Sequence, residues 1–587
     1  MDTKQLQEFL DTYKVEIKNV KEYPKFKLYI LKECPFCNGA HKDGAYIIHN
    51  TDGVVVAKCH HQSCKDASWS KLYESMTGTK LKTPKNKEKE QKDTYINKLD
   101  VINQLYDEGK LELARDNYGN VVAQIKSMDN KVMKSIPVNS KEFRLHLQKL
   151  YYDLTETVLD RRAYETINDY IGVLAYKNNN IVRVYKRVAY LGDKIVYDLN
   201  KEENLKVIIT DEKVSITDEN NDFFHRSKYY ASQVMPDFDK VEDGNYKALI
   251  KLVKKHFNFK NNDAILFAIY LVTCFLGNAI NHPILSISGQ KGSGKSSAIR
   301  KFCQIVDPKN IGLGNIPKSE DDISLRISEN YVNAFDNLSY ISKNISDLFC
   351  KCVTGGTNVR RTLYENNDET TFDLKSIVVL NGIDIIVTES DLVDRSIFLH
   401  LERFSSEELR TEAELDSEFE KDLPTILALC FSVLQLAFKD KTEIGKDNIL
   451  RMADFYEWSI KIGKAIGYEE KFVDGLLQKN YERIIKQSLY ENPLTQLILI
   501  YMEYSEEKIH SVADFLKVLK KLAREQEIDV QLLPKQPNVL SRKLKQLKSD
   551  LQFVGITYSI ENTGACKKIT VKNSKHKCVP VKIEKGD

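Results

Sequence analysis

The sequence predicts a multidomain α/β protein. Three features predict it: an apolar strand that runs into a glycine-rich loop, a pair of cysteine knuckles near the amino terminus, and a lysine-rich stretch that separates the two regions. At 587 residues the chain has room for several domains of about 100–200 residues each. Its 42% hydrophobic and 29% charged residues are those of a globular protein, and a net charge of +3 confines any nucleic-acid surface to local basic patches. Of the 11 cysteines, four fall between Cys34 and Cys64 and the others are scattered in apolar contexts, which is not a secreted disulfide framework. A reducing cytoplasm is the expected location. The amino-terminal run MDTKQLQEFLDTYKVEIKNV alternates charges at helical spacing and has no apolar signal core.

Residues 1–78 read as a zinc-binding domain. Cys34-Pro-Phe-Cys37 and Cys59-His-His-Gln-Ser-Cys64 are two knuckles flanking AYIIH and VVVAK, two strands joined by the turn NTDG. Tetrahedral Zn2+ wants four soft or borderline ligands, and paired cysteines on tight turns bring sulfurs together at little entropic cost. The expected ligands are Cys34, Cys37, Cys59 and Cys64, with His41, His60 or His61 as alternates. The run TKLKTPKNKEKEQKDT, residues 79–94, cannot bury enough apolar surface to pack and reads as a flexible charged linker.

Residues 95–242 read as a mixed α+β domain, with helical pieces such as EFRLHLQKLYYDL followed by strands over IVRVYKRVAYL, DKIVYDL and LKVIITDEKVSIT. Its one Asp-x-Asp, Asp237-Phe-Asp239, reads as linker and supplies no polymerase metal site. The longest apolar segment, Ala264 to Ile280, contains Asn278 and is short for a bilayer, so it is expected as a core helix, with no membrane partner.

Residues 243–480 alternate apolar strands with helices, the pattern of a parallel sheet. After the strand ILSI, the run Gly289-Gln290-Lys291-Gly292-Ser293-Gly294-Lys295-Ser296-Ser297 satisfies G-x-x-x-x-G-K-[ST], a phosphate-binding loop. Its backbone N–H groups would cradle phosphate oxygens at the start of a helix. Lys295 would reach the β- and γ-phosphates of ATP, and Ser296 would bind Mg2+. Asp336, at the tip of the apolar strand YVNAFDN, is the expected second magnesium ligand, followed by Asn337. Asn381 ends the strand in SIVVLNGID and could orient the attacking water; Arg395, before the strand SIFLHL, suits an arginine finger. Arg360 and Arg361 read either as pore or interface residues or as arginines on a helix surface.

Residues 490–574 combine helices over SVADFLKVLKKLAREQE and PNVLSRKLKQLKSDL with strands GITYSIE and KKITVKN around Asn562-Thr563-Gly564. Arg542, Lys543, Lys545 and Lys548 are expected on one helix that offers positive charge to a DNA groove.

The motifs GQKGSGKSS, FDNLSYISKNISDLFCKCVTGG, RRTLYENND, VVLNGID and DLVDRS together resemble AAA+ replicative helicases and replication initiators of phages and mobile genetic elements, of the superfamily 3 and minichromosome-maintenance-like kind. The CPFC knuckle resembles the zinc-ribbon end of primases, and the tail resembles a winged helix. The resemblance implies a zinc ribbon, an α+β collar, an AAA+ P-loop NTPase and a carboxy-terminal winged helix. It implies a homo-hexameric ring that hydrolyses ATP between subunits and moves on single-stranded and origin duplex DNA, with host replication proteins as further partners. One departure stands out: the family usually carries a second carboxylate where this chain has Asn337, so the identity of the catalytic base is left open. Two other classes stay open beside the helicase, a primase or primase-helicase and a DNA-binding AAA+ loader or switch that does not unwind.

Overall fold

Asp2 accepts from the Gln5 backbone N–H while the Gln5 side chain returns a bond to Asp2, a capping box that starts α1 (Thr3–Thr12). The computed structural model describes all residues except 24, 38–43, 52, 61–63, 65–66, 80–97, 127–131, 219–221, 339–340, 362–368, 383–388, 405–409, 443, 445–451, 563, 565–566 and 576–587. The linker expected at 79–94 lies, from residue 80 onward, outside the described residues. The chain divides into two units, Met1–Ile96 and Asn97–Asp587.

In the first unit the strands β1 (Ile17–Tyr23), β2 (Phe26–Leu31), β3 (Ala45–Asn50) and β4 (Val55–Cys59) form an antiparallel sheet in that order, followed by α2 (Trp69–Thr77). The ribbon expected over AYIIH and VVVAK is β3 and β4. β1 and β2 were not foreseen, because β1 is solvent-exposed along nearly its whole length and lacks the alternation that marks a half-buried strand. Leu6, Phe9 and Leu10 of α1 pack with Tyr29, Leu31, Ile47, Ala57 and Leu72 in this unit's core.

The second unit begins with α3 (Lys98–Asp107), the antiparallel sheet β5 (Leu111–Arg115), β6 (Val121–Lys126) and β7 (Val132–Pro137), then α4 (Lys141–Thr155) and α5 (Arg161–Asn178). A second antiparallel sheet follows: β8 (Val188–Tyr190), β9 (Ile195–Asp198), β10 (Lys206–Ile209) and β11 (Val214–Thr217). The strand expected over residues 181–191 is cut down to β8, because two cationic side chains just before it are pulled into the protein. Lys186 donates from Nζ to the carbonyls of Ile327 at 2.9 Å, Lys375 at 3.0 Å and Asp373 at 3.3 Å. Arg187 is 0% exposed, pairs with Asp307 at 3.0 Å, and donates to the carbonyls of Asp198, Ala231 and Pro308.

The central layer runs α6 (Ala248–His256), α7 (Asn261–Thr273), β12 (Ile284–Gly289), α8 (Lys295–Val306), α9 (Glu320–Glu329), β13 (Val332–Leu338), α10 (Lys343–Thr354), β14 (Thr357–Arg361), β15 (Glu369–Asp373), β16 (Ile377–Gly382), α11 (Ser390–Val393), β17 (Ser396–Leu401), α12 (Glu412–Lys439), α13 (Ala453–Ile466) and α14 (Glu470–Glu491). The sheet order is β13-β16-β12-β17, all parallel, and Gly314 adds a parallel bridge to Phe335 on the outer side of β13. β12 and β16 are buried at every position, as parallel strands covered on both faces must be. Leu285 and Ile287 face a core with α7, α8, α12 and α13, while Ile284, Phe335, Leu380 and Phe398 face a second core. Asn261–Ala279 and Glu412–Lys439 are long and apolar enough to cross a membrane by length and composition, but 78% and 61% of their apolar windows are buried inside the protein. The stretch read as a core helix is α7 and a following 3₁₀ turn, Cys274–Ala279. Arg360 and Arg361 lie on β14, the first strand of an antiparallel hairpin with β15, not on a helix.

The last region comprises α15 (Pro493–Met502), β18 (Glu507–Ser511), α16 (Val512–Glu525), α17 (Pro537–Gln546), α18 (Lys548–Phe553), β19 (Ile556–Asn562) and β20 (Lys567–Asn573), with an antiparallel sheet ordered β18-β20-β19. β18 was missed because EKIHS is short and mostly polar. Thr563, in the expected turn, lies outside the described residues.

Breaking a buried ion pair leaves an uncompensated charge. Arg187→Ala is therefore expected to cost about 3–5 kcal/mol, measured by denaturant unfolding. His282 gives a pH signature. Its ring is buried, Nε2 lies 2.8 Å from the Gly277 carbonyl, Nδ1 has no partner among the described residues, and burial lowers its pKa to about 4. The unfolded ring takes its proton near pH 6.5, so this contribution is whole above that pH. It is lost as pH falls toward 4, by up to about 3 kcal/mol. His282→Gln should flatten that part of the stability profile relative to wild type, and parallel profiles would refute the assignment.

Candidate nucleotide site and cysteine cluster

Parallel pairing puts the carboxyl ends of β12, β13 and β16 along one edge of the sheet, where open α/β sheets bind ligands. The glycine loop leaves β12 there and enters α8 with Gly294 as its N-cap in the left-handed conformation. Gly289 is required by space, since a Cβ would sit 2.5 Å from the Leu401 carbonyl oxygen and 2.6 Å from Ser293 Oγ. At Gly294, φ is +80°, and a Cβ would meet the Phe404 ring at 3.0 Å.

Lys295 curls over its own loop, Nζ donating to the carbonyls of Gly289 at 2.6 Å and Gln290 at 2.9 Å. Burial lowers its pKa, and the Asp336 carboxylate opposes that shift, so the two groups sense each other across the edge. Among the described residues Ser293 Oγ is buried without a partner, the kind of orphaned donor that an anionic ligand would satisfy. Gln290, Lys291, Gly292 and Ser296 are exposed, and Ser297 is half-buried.

Asn381 donates from Nδ2 to Asp336 Oδ1, bringing the tips of β16 and β13 into contact, and its buried Oδ1 has no partner among the described residues. Asn337 is exposed, with φ +57°, and its backbone N–H donates to Asp336 Oδ1 at 2.8 Å. Asp336 is thus gripped by two donors and keeps its second oxygen for other work. Arg395 is not part of this group. Its carbonyl accepts from Ile284 N at 2.8 Å, which puts it at the entry of β12 and β17, the opposite end of the sheet from the loop. Its guanidinium pairs with Asp391 at 2.5 Å and reaches Cys350 Sγ at 3.6 Å.

Two contacts beside the loop had no signal in the sequence: the Phe404 ring against Gly294, and Ser288 Oγ 3.0 Å from His400 Nδ1. Each joins residues far apart in the chain, and nothing in a single sequence pairs them.

In the amino-terminal unit, Cys34 Sγ lies 3.5 Å from Cys59 Sγ and 3.8 Å from Cys64 Sγ, and the Cys34, Cys37 and Cys64 sulfurs fall within 4.8 Å of one another. Two sulfurs each about 2.3 Å from one tetrahedral zinc stand about 3.8 Å apart. The Cys34, Cys37 and Cys64 sulfurs fit Zn2+ in chemistry and spacing, with Cys59 adjoining them through Cys34, and burial raises the Cys34 thiol when no cation balances it. His60 packs its ring on Tyr46 at 5.1 Å, while His41 and His61 lie outside the described residues.

The expected basic helix is two helices. Arg542, Lys543 and Lys545 are exposed on α17, and Lys548 opens α18 after a break at Leu547. The opposite side of α17 is anchored by buried Leu540 and Leu544, which fixes the outward direction of the charges.

Replacement of one sulfur in a structural zinc site removes the metal. Cys34→Ser should abolish bound zinc in elemental analysis; an undiminished zinc content would remove Cys34 from the ligand set.

No curated protein matches the chain at a meaningful level. Among solved structures, an A-form apo structure of the NrS-1 C-terminal region aligns at a TM-score of 0.34 and 11% identity, covering 81% of this chain and 100% of that one. Another apo structure of the same region aligns at 0.35 and 11% identity, covering 81% and 99%. Likeness at that level does not identify a fold. Residues 249–472, which span the glycine loop, Asp336, Asn381 and Arg395, match the family model of the actinomycete integrative conjugative element replication protein. Residues 494–582, which span the basic helices, match the model of the AICE RepA C-terminal domain. Over these two segments the chain is therefore similar to the RepA replication proteins of actinomycete integrative conjugative elements.

Proposed function

We propose that the protein is an ATP-dependent DNA helicase and replication initiator of a mobile element, working as an AAA+ ring, most simply a hexamer. The observation that carries this reading is the convergence of three strand ends: the phosphate loop after β12, Asp336 on β13 and Asn381 on β16. Gly314 beside β13 extends the same parallel order to a fifth strand position. In this reading Lys295 and the loop amides hold the triphosphate, Ser296 and Asp336 hold Mg2+, and Asn381 orients water. Asn337, turned out to solvent, is no base; a carboxylate from elsewhere would take that role.

Arg395 sits at the far end of the sheet, so it cannot serve its own loop. That favours a role across a subunit boundary, where a guanidinium stabilises charge on the γ-phosphate of a neighbour. It would first have to leave Asp391. The winged-helix reading of the tail is supported by the order β18, α16, α17, α18, β19, β20 and by the four exposed cations at Arg542, Lys543, Lys545 and Lys548. Contacts of this kind are mainly to phosphate and weaken steeply with salt. Zinc on the four cysteines would be structural, holding the ribbon in shape.

Lys295→Ala should lower DNA-stimulated ATP turnover by roughly 100- to 1,000-fold with zinc content unchanged. Arg395→Ala should abolish hydrolysis yet keep ATP binding, and mixing it with Lys295→Ala subunits should restore part of the activity at hybrid interfaces. Strand displacement on tailed forks tests the helicase directly: DNA-stimulated hydrolysis without displacement would leave a loader or switch, and templated ribonucleotide incorporation would make the protein a primase.

A further inference from the structure

A cavity of about 760 Å³ opens where the β5–β7 region meets the parallel sheet, the kind of junction and the size of space that small-molecule sites favour. β7 and the start of α4 form one wall, and α8, α9 and residues 309–314 form the other. No residue from Gly289 to Ser297 lines it, so it is separate from the glycine loop. Its walls are pinned to each other: Ser135 of β7 bridges to His225, His225 Nε2 lies 3.0 Å from Glu329 Oε2, and Asn310 N donates to the Tyr229 carbonyl at 2.9 Å. The space is therefore built into the fold and not left by loose packing.

Apolar side chains supply much of the lining, among them Ile136, Leu313, Ile311 and Leu325, the last two each 47% exposed. Cationic side chains outnumber carboxylates in the rest. Most of these cations have carboxylate partners already: Arg226 on Asp198, Lys309 on Asp307 and Arg300 on Glu412. Arg326 differs. Among the described residues its guanidinium pairs with no carboxylate; it donates to the carbonyls of Ala334 at 3.0 Å and Asn315 at 3.3 Å. The Phe335 ring lies 4.8 Å from it, and a Cβ on Gly314 would come within 3.1 Å of Nη1. These neighbours hold the planar fork in one orientation, and a guanidinium carries more N–H groups than the two so engaged. A carboxylate or a phosphate is what a fixed fork of that kind recognises.

We propose that this cavity binds a small amphipathic anion, with an apolar body against Ile311, Leu313 and Leu325 and one carboxylate or phosphate on the Arg326 guanidinium. Touching both walls, such a ligand braces the β5–β7 region against the parallel sheet. The site is independent of what the glycine loop binds.

Calorimetry of the full chain with naphthyl phosphate, naphthoate, the neutral naphthylmethanol and inorganic phosphate separates head from body. At least one naphthyl anion should bind more tightly than both naphthylmethanol and inorganic phosphate, and the tighter of the two anions names the head group. Arg326→Gln should weaken that anion by about 10- to 100-fold, the worth of a hydrogen bond to a charged group, and leave naphthylmethanol unchanged. Leu325→Asp, at the exposed rim, should weaken the anion as well. Naphthyl anions that bind no more tightly than the alcohol or inorganic phosphate overturn the proposal, as does an anion affinity that Arg326→Gln leaves unchanged. Lys295→Ala should keep the anion; its loss there would put the probe at the glycine loop and equally overturn the proposal. Thermal unfolding of the unliganded variants checks the fold, and if Arg326→Gln does not fold, Leu325→Asp decides, an unchanged affinity refuting the site.

Discussion

The parallel pairing of β12 with β16 on one side and β17 on the other is the constraint on which the rest of the second unit depends. Three strands aimed the same way must all end on the same edge, so the loop, Asp336 and Asn381 meet without any of them being near another in sequence. The same geometry sends Arg395 to the opposite edge. Antiparallel pairing of even one of these strands would scatter the group. The sheet tolerates this arrangement because both of its faces are covered, one by α7, α8, α12 and α13, the other by the core that continues into the carboxy-terminal region.

α8 extends that constraint outward. Its first residue is Lys295, and its C-cap, Asp307, is the carboxylate that pairs with Arg187 and also accepts from Val332 N at the start of β13. One helix therefore ties the glycine loop to the sheet of β8–β11 and to the strand that bears Asp336. Asp198, at the end of β9, accepts from Nε and Nη2 of Arg226, each at 2.8 Å, which stiffens the same junction. These ion pairs are buried and well bonded. Their worth lies less in net stability than in fixing one relative position of the elements they join.

What was legible in the sequence follows from how local each feature is. The glycine loop needs glycines and a lysine at fixed offsets between a strand and a helix, and all of that is written in a dozen consecutive residues. The cysteine knuckles and the strands β3, β4 and β12 are equally local. Asp336 and Asn381 could be read because each ends an apolar run. The strands that were missed, β1, β14 and β18, are polar or exposed, and their existence depends on partners elsewhere in the chain. The shortening of the strand at Lys186 and Arg187 was invisible because their acceptors lie on α9, β15 and the end of α8. A single basic helix over Arg542 to Lys548 was a fair expectation from composition; the break at Leu547 is set by the packing of Leu544 and Leu551 into one core.

α14 belongs to two neighbourhoods at once. Asn480 brackets Phe398 of β17, accepting from its N–H and donating to its carbonyl, Arg483 forks onto Asp263, and Tyr481 joins Asp394 to the Phe553 ring of α18. Ile484, Ile485 and Leu489 of the same helix share a core with the sheet and with α15 through α18. The carboxy-terminal module is consequently geared to the sheet rather than hung from it. A displacement of β17 would be felt at α18 through the Asn480, Tyr481 and Arg483 contacts of α14, so the basic surface of α17 and α18 is tied to the parallel sheet.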